Sequence, residues 1–300
     1  MLGGGGIDIA TLPDTQKLYY KATAKVTPNS NSLGTVVIDN KWDETTGEGI
    51  ITCINDIEEI GGRAFRYCSS LTSINIPNSV TKIVEESFEG CTSLESITIP
   101  NSVTEIGFAV FSSCDSLTSV IIGNGVTSIG RAAFHRCPSL TSIVIPNGVE
   151  TIGEATFRYC SNLTSITIPD SVTSIGVEAF NYCSSLKSIT IPDGITSIGF
   201  YTFGYCSSLT SIIIPDSVTE IGQGAFYNCT SMQYYNFSAH HTIPTMYYSA
   251  YDDSFNNIPS TCKIIVPDAL YGEWIAATGW NKYADHIIKK SDWDAQQVSE

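Results

Sequence analysis

Hydrophobic positions recur along this chain every 23 residues, a period that belongs neither to a helix face nor to a single strand. Phenylalanine keeps it at Phe65, Phe88, Phe111, Phe134, Phe157, Phe180, Phe203 and Phe226, and cysteine keeps it three residues later from Cys68 to Cys229. Isoleucine keeps it from Ile60 to Ile221, followed by glycine in every copy but the second, where Val84 stands. The unit reads I-G-x-x-[small]-F-x-x-C-x-x-L-x-x-I-x-I-P-x-x-V-x-x. Its Leu163, Ile166 and Ile168 predict a short strand with alternate side chains inward, entered through a corner residue. Pro169 ends the strand and Asp170-Ser171 supplies a turn. Val172 and Ile175 resume the inward pattern, and Gly176 permits a corner before a short helical turn through Ala179, Phe180 and Cys183.

A unit this short cannot bury its own apolar residues, so successive units must stack and share one core. The expected fold is an α/β solenoid: a coil with one parallel sheet, short helical turns on another side, and capped ends. At about 4.8 Å per strand, eight turns make a sheet roughly 40 Å long, which is a surface and not a cleft. Residues 1–49 are expected to form an N-terminal arm and β cap. Residues 50–238 are the solenoid, with 50–57 as an extra strand and turn. Residues 239–300 are an irregular tyrosine-rich segment followed by a strand and helix that seal the last turn.

Composition narrows the function. A net charge of −15 leaves nucleic acid and anionic membrane as poor partners. No apolar run is long enough to cross a membrane, and MLGGGGIDIATLPD lacks the basic-then-apolar shape of a signal peptide. The eight periodic cysteines are expected to be thiols packed in the core, because equivalent positions point their sulfurs side by side and no C-x₂₋₄-C cluster offers zinc a site. No metal or cofactor is expected. The Asn/Asp column after the prolines (Asn78 to Asp216) reads as turn chemistry and not calcium ligation, and the adjacent His240 and His241 lack a third ligand. No nucleophile, metalloprotease or phosphate-loop motif is present, so catalysis is not expected.

The combination L-x-x-I-x-I-P, I-G-x-x-A-F and F-x-x-C resembles the BspA-like, or Treponema pallidum-type, leucine-rich repeat family. ITSIGFYTFGYCSSLTSIIIP (195–215) and SVTSIGVEAFNYCSSLKSITIP (171–192) look like consensus copies, and KIIVPDALYGEWIAATGWNKYADHI resembles the closing segment of such proteins from gut Bacteroidales. The resemblance implies a non-enzymatic right-handed solenoid that binds host proteins, other cells or surface glycans at an extracellular or cell-surface location. Similar repeats also occur in phage-encoded proteins, so a virion tail or receptor-binding component is the alternative.

Within the repeat, positions that vary freely are released for something other than the stack. The outward strand face is mostly threonine and serine; such a face can hydrogen-bond a sugar weakly, and β-propensity with a solvent-tolerant sheet explains threonine there just as well. The positions around the phenylalanine are different, because all five arginines of the chain fall there. The candidate ligand-binding residues are Arg63, Arg66, Tyr67, Arg131, His135, Arg136, Arg158, Tyr159, Tyr182, Tyr201, Tyr205 and Tyr227, residue types that dominate binding hot spots.

Overall fold

Two parallel ladders run along the coil in the computed structural model, which describes residues 9–248 and 253–298. The glycine-rich start and residues 249–252 of the tyrosine-rich stretch lie outside the described residues. The L-x-x-I-x-I segments form the first ladder, with Ile74 beside Ile97 and Ile97 beside Val120. The second joins Ile60, Ile83, Ile106, Ile129, Ile152 and Ile175 in register. Neither is continuous: the first breaks between strands Ser119–Ile122 and Ser142–Val144 and again between Ser165–Thr167 and Ser211–Ile213, and the second between Ser174–Ile175 and Ser197–Ile198.

The core between these ladders is a column of stacked rings. From Phe65 to Phe226 and on to Phe255, successive centroids lie 5.2–5.5 Å apart with interplanar angles of at most 12°. Every ring is fully buried. The repeated glycine is needed for close approach of backbones: a Cβ on Gly176 would lie 2.4 Å from the main-chain nitrogen of Glu154 in the coil before. The cysteines are unbridged, and all but Cys68 are buried.

The third side, where a short helical turn is expected, is built from overlapping turns that form a ladder of their own. Ala64, Arg66 and Cys68 donate their amides three residues back, whereas Arg63, Phe65 and Tyr67 donate to the carbonyls of Glu85, Ser87 and Glu89 in the next coil. A helix would turn all these amides along its own axis; alternation spends half of them on joining the coils. The backbone reverses direction through left-handed residues. All fifteen non-glycine residues with positive φ among the described residues lie two before or two after a ring of the phenylalanine column, and Gly90 and Gly224 occupy the same positions.

The N-terminal cap is antiparallel. Strand β3 (Glu48–Cys53) lies between β2 (Val37–Trp42) and β1 (Lys17–Ala22), and β1 pairs in turn with strand Leu71–Asn75. Residues 50–53, expected as part of an extra coil, therefore belong to the cap sheet. At the other end the coiling continues past residue 238, contrary to expectation. Thr245–Met246 pairs with Glu220–Ile221, Phe255 extends the ring column, and Lys263–Val266 pairs beside Tyr234–Asn236. The step from Phe226 to Phe255 is 29 residues where earlier steps are 23, so an insertion hides the period without breaking the stack. Helix α1 (Tyr271–Ala276) then buries Trp274 against Phe237 and Trp280, which closes the apolar end. Among the described residues, no helix is long and apolar enough to cross a membrane.

Candidate functional site

The left-handed positions carry seven of the twelve candidate residues, and Arg66, Arg131, His135, Arg158 and Tyr227 stand beside them. Arg63 and Tyr201 stand two before a column phenylalanine; Tyr67, Arg136, Tyr159, Tyr182 and Tyr205 stand two after one. A left-handed conformation costs a residue with a Cβ roughly 1–2 kcal/mol, so glycine or asparagine is the conformational preference there. This chain uses glycine or asparagine at Gly90, Gly224, Asn228 and Asn257, and large side chains at seven others.

The column two residues after phenylalanine is a band of planar groups. Tyr159 and Tyr182 stack at 4.7 Å, Tyr182 and Tyr205 at 4.1 Å, and Tyr227 leans on Tyr205 at 5.3 Å and on Tyr201 at 5.6 Å. Exposed Phe200 packs edge-on against Tyr201 at 4.7 Å. At the other end, the Arg136 guanidinium lies 5.4 Å from the centre of the Tyr159 ring. The next two members of the column are Ser113 and Gly90, both short, beyond which Tyr67 stands 64% exposed. The ring of Tyr67 covers Gly90, where any Cβ would come within 2.4 Å of it.

The structure thus sorts the candidates into two groups: Arg63, Arg66 and Tyr67 on the first coil, and the remaining nine from Arg131 to Tyr227. It also pairs most of the arginines within the stack. Arg63 and Arg66 hold Glu86 at 2.6 and 3.1 Å, and Arg66 reaches Glu89 at 2.6 Å. Arg131 meets Glu154 at 3.2 Å and Arg158 meets Glu178 at 3.1 Å. The guanidinium of Arg63 holds the Glu86 carboxyl below its ordinary range. These carboxylates were not singled out by the sequence, although their offsets of 23 and 20 residues from the arginines carry the signal. Arg136 alone of the five arginines has no carboxylate partner among the described residues. His135 lies next to it against Tyr159, at 5.8 Å between rings, and burial, with Arg136 and Arg158 nearby, lowers its pKa to about 4. It is therefore neutral near pH 7.

Threonines at the entry to the strands are committed to the stack. The hydroxyls of Thr118 and Thr164 donate to the carbonyls of Glu95 and Thr141 one coil earlier, both at 3.0 Å. Exposed Ile121 and Val144 flank the first break in this ladder and line a groove of about 370 Å³. In the tyrosine-rich stretch, His240 is buried with Nε2 3.2 Å from the carbonyl of Ile214, and His241 Nδ1 lies 2.7 Å from Asp216. Both histidines thus tie the insertion to the preceding coil.

A family model described as the BspA type leucine-rich repeat region matches residues 49–164 and 150–273. A leucine-rich repeat protein from Bacteroides ovatus is 33% identical over 70% of this chain, with a TM-score of 0.55. The match covers 59% of that protein, so this chain spans little more than half of its length. A leucine-rich cell surface protein from Faecalibacterium prausnitzii is 28% identical over 70% of this chain and 69% of its own, with a TM-score of 0.39. The leucine-rich repeat protein of T. pallidum is 25% identical over 58% of this chain and 84% of its own, with a TM-score of 0.46. No curated protein matches the chain.

Proposed function

The chain belongs to the BspA-type leucine-rich repeat family, and from that premise we propose that it is a non-enzymatic adhesion module whose lateral band grips a protein or glycan outside the cell. The gripping residues are Arg136, Tyr159, Tyr182, Tyr205, Tyr201 and Tyr227, with His135 beside them. One observation carries this reading: large planar side chains stand where the backbone favours glycine or asparagine, and they form one connected band ending in a guanidinium with no carboxylate partner. Tyrosine and arginine offer broad contact area with a polar end at low entropic cost. In a chain of net charge −15, a guanidinium without an internal carboxylate is available to a carboxylate or carbonyl of the ligand.

The test is a binding screen on a printed glycan array and on intact epithelial and bacterial cells. The lateral variant Arg136→Gly/Tyr159→Gly/Tyr182→Gly loses the captured target, whereas the strand-face variant Ile121→Ser/Val144→Ser keeps it. The reverse pattern moves the binding face to the groove between strands Ser119–Ile122 and Ser142–Val144.

A further inference from the structure

A depression of about 670 Å³ opens on the outer face of the N-terminal cap sheet, apart from the lateral band. Strand pairing builds it in two rows. Lys41, Ile50, Tyr19 and Asn75 are successive partners across four strands, and Glu48, Lys21 and Ser73 form the next row on the same face. The intervening row points the other way, with the buried ring of Tyr20 filling the space over Gly49. Such a volume falls within the usual range for small-molecule sites, about 300–1,000 Å³.

The chemistry of the lining selects the ligand. Its lysines are paired within the protein, Lys21 with Glu48 at 3.3 Å and Lys41 with Asp39 at 3.4 Å, and the Asp43 carboxylate accepts the amides of Thr45 and Thr46. An anionic ligand would have to compete with Glu48 and Asp39 for those lysines. The Tyr19 hydroxyl donates to Asp14 at 2.8 Å, so the ring is held from its polar end and offers its apolar body. Ile50 continues that apolar surface. The Ser73 hydroxyl and the Asn75 amide have no side-chain hydrogen bond to protein among the described residues, and a wholly apolar ligand would leave both desolvated and unpaired. An apolar patch edged by neutral donors and acceptors matches a pyranose, which has a C–H face and a rim of hydroxyls.

We propose that this depression is a second ligand site, independent of the lateral band, for an uncharged sugar of one or two pyranose units. Tyr19 is its platform, and Asn75 and Ser73 bond the hydroxyls.

Saturation-transfer NMR on the full chain tests it, using the methyl glycosides of glucose, galactose, mannose and N-acetylglucosamine, together with maltose and lactose, up to about 10 mM, beyond the millimolar affinity range. At least one sugar receives saturation at its ring protons. The signal is lost in Tyr19→Ala, falls severalfold in the surface variant Asn75→Ala, and is unchanged in Tyr182→Gly, which alters only the lateral band. Melting curves confirm that the variants are folded. No transfer to any of these sugars, or transfer that survives both cap substitutions, overturns the proposal. So does selective binding of short uncharged peptides in their place.

Discussion

The thiol of Cys160 donates to the main-chain carbonyl of Phe134, one coil earlier, at 3.1 Å. The same contact recurs from Cys91 to Cys229 at 3.1–3.3 Å, while Cys68, on the first coil, faces Thr27 of the cap at 4.0 Å. All of these phenylalanine carbonyls except that of Phe134 also accept an amide from their own turn, so there the thiol fills the second lone pair inside an apolar core. Cysteine is kept here because it is both a small apolar body and a weak donor. Cys160→Ala removes the donor and leaves a small void, and should cost about 1–3 kcal/mol in reversible unfolding. A change near zero would show that the thiol contact is incidental.

Burial raises the thiols of Cys53 and Cys68 to about 11 and those of Cys229 and Cys262 to about 12, and pushes Cys137, Cys183 and Cys206 further still. In the unfolded chain they ionise near pH 8.5–9. A raised folded-state pKa gives stability that is complete below the unfolded value and lost as pH climbs toward the folded one. Unfolding free energy should therefore fall steeply above about pH 9, by about 1.4 kcal/mol per pH unit for each of these raised thiols. Thiol titration should find ten reactive groups in denaturant and, in the native state at pH 7, at most the half-buried Cys68. A flat profile from pH 9 to 11, or far fewer than ten thiols in denaturant, would contradict this.

The left-handed residues make a signed prediction. Ala132 and Ala155, at φ 55° and 53°, gain from glycine because the Cβ is the source of strain. Each Ala→Gly should stabilise by up to about 1 kcal/mol, the reverse of its effect in an ordinary helix. Gly90→Ala should destabilise, both for its φ of 70° and because Tyr67 occupies the Cβ position. Denaturant midpoints decide the matter, and destabilisation by Ala132→Gly would refute the account of the third side.

His135 links the lateral band to pH. It is held neutral, with a pKa of about 4, while in the unfolded chain it takes a proton near pH 6.5. A depressed histidine contributes stability above the unfolded value and loses it as pH falls toward the folded one. Wild-type stability should therefore drop between about pH 6.5 and 4 more than that of His135→Gln. Equal slopes would show that His135 titrates as if in water. A ligand carboxylate on Arg136 would raise this pKa, which NMR titration of the bound form would detect.

Much of this was readable from a single sequence because the stack repeats its demands. The ring column, the thiols, the isoleucine ladder and the close-approach glycines all stand at one spacing, since each contacts its own copy in the next coil. What escaped notice breaks the local rules or spans them. Tyr182 and Arg136 in left-handed geometry run against propensity, so nothing local announces it. The final coil was hidden by the insertion between Phe226 and Phe255. The cap depression joins Tyr19 to Asn75, paired antiparallel across more than fifty residues, where no period applies.

The central claim is that the lateral tyrosines are retained for what they touch outside the protein and not for the fold. Tyr182→Gly tests it most directly, with unfolding free energy and target capture measured on the same preparation. Losing two stacking contacts, at about 0.5–1.5 kcal/mol each, is partly offset by relief of left-handed strain. The account predicts stability within about 2 kcal/mol of wild type and loss of target binding. A destabilisation well beyond about 3 kcal/mol with binding retained by the folded fraction would contradict it.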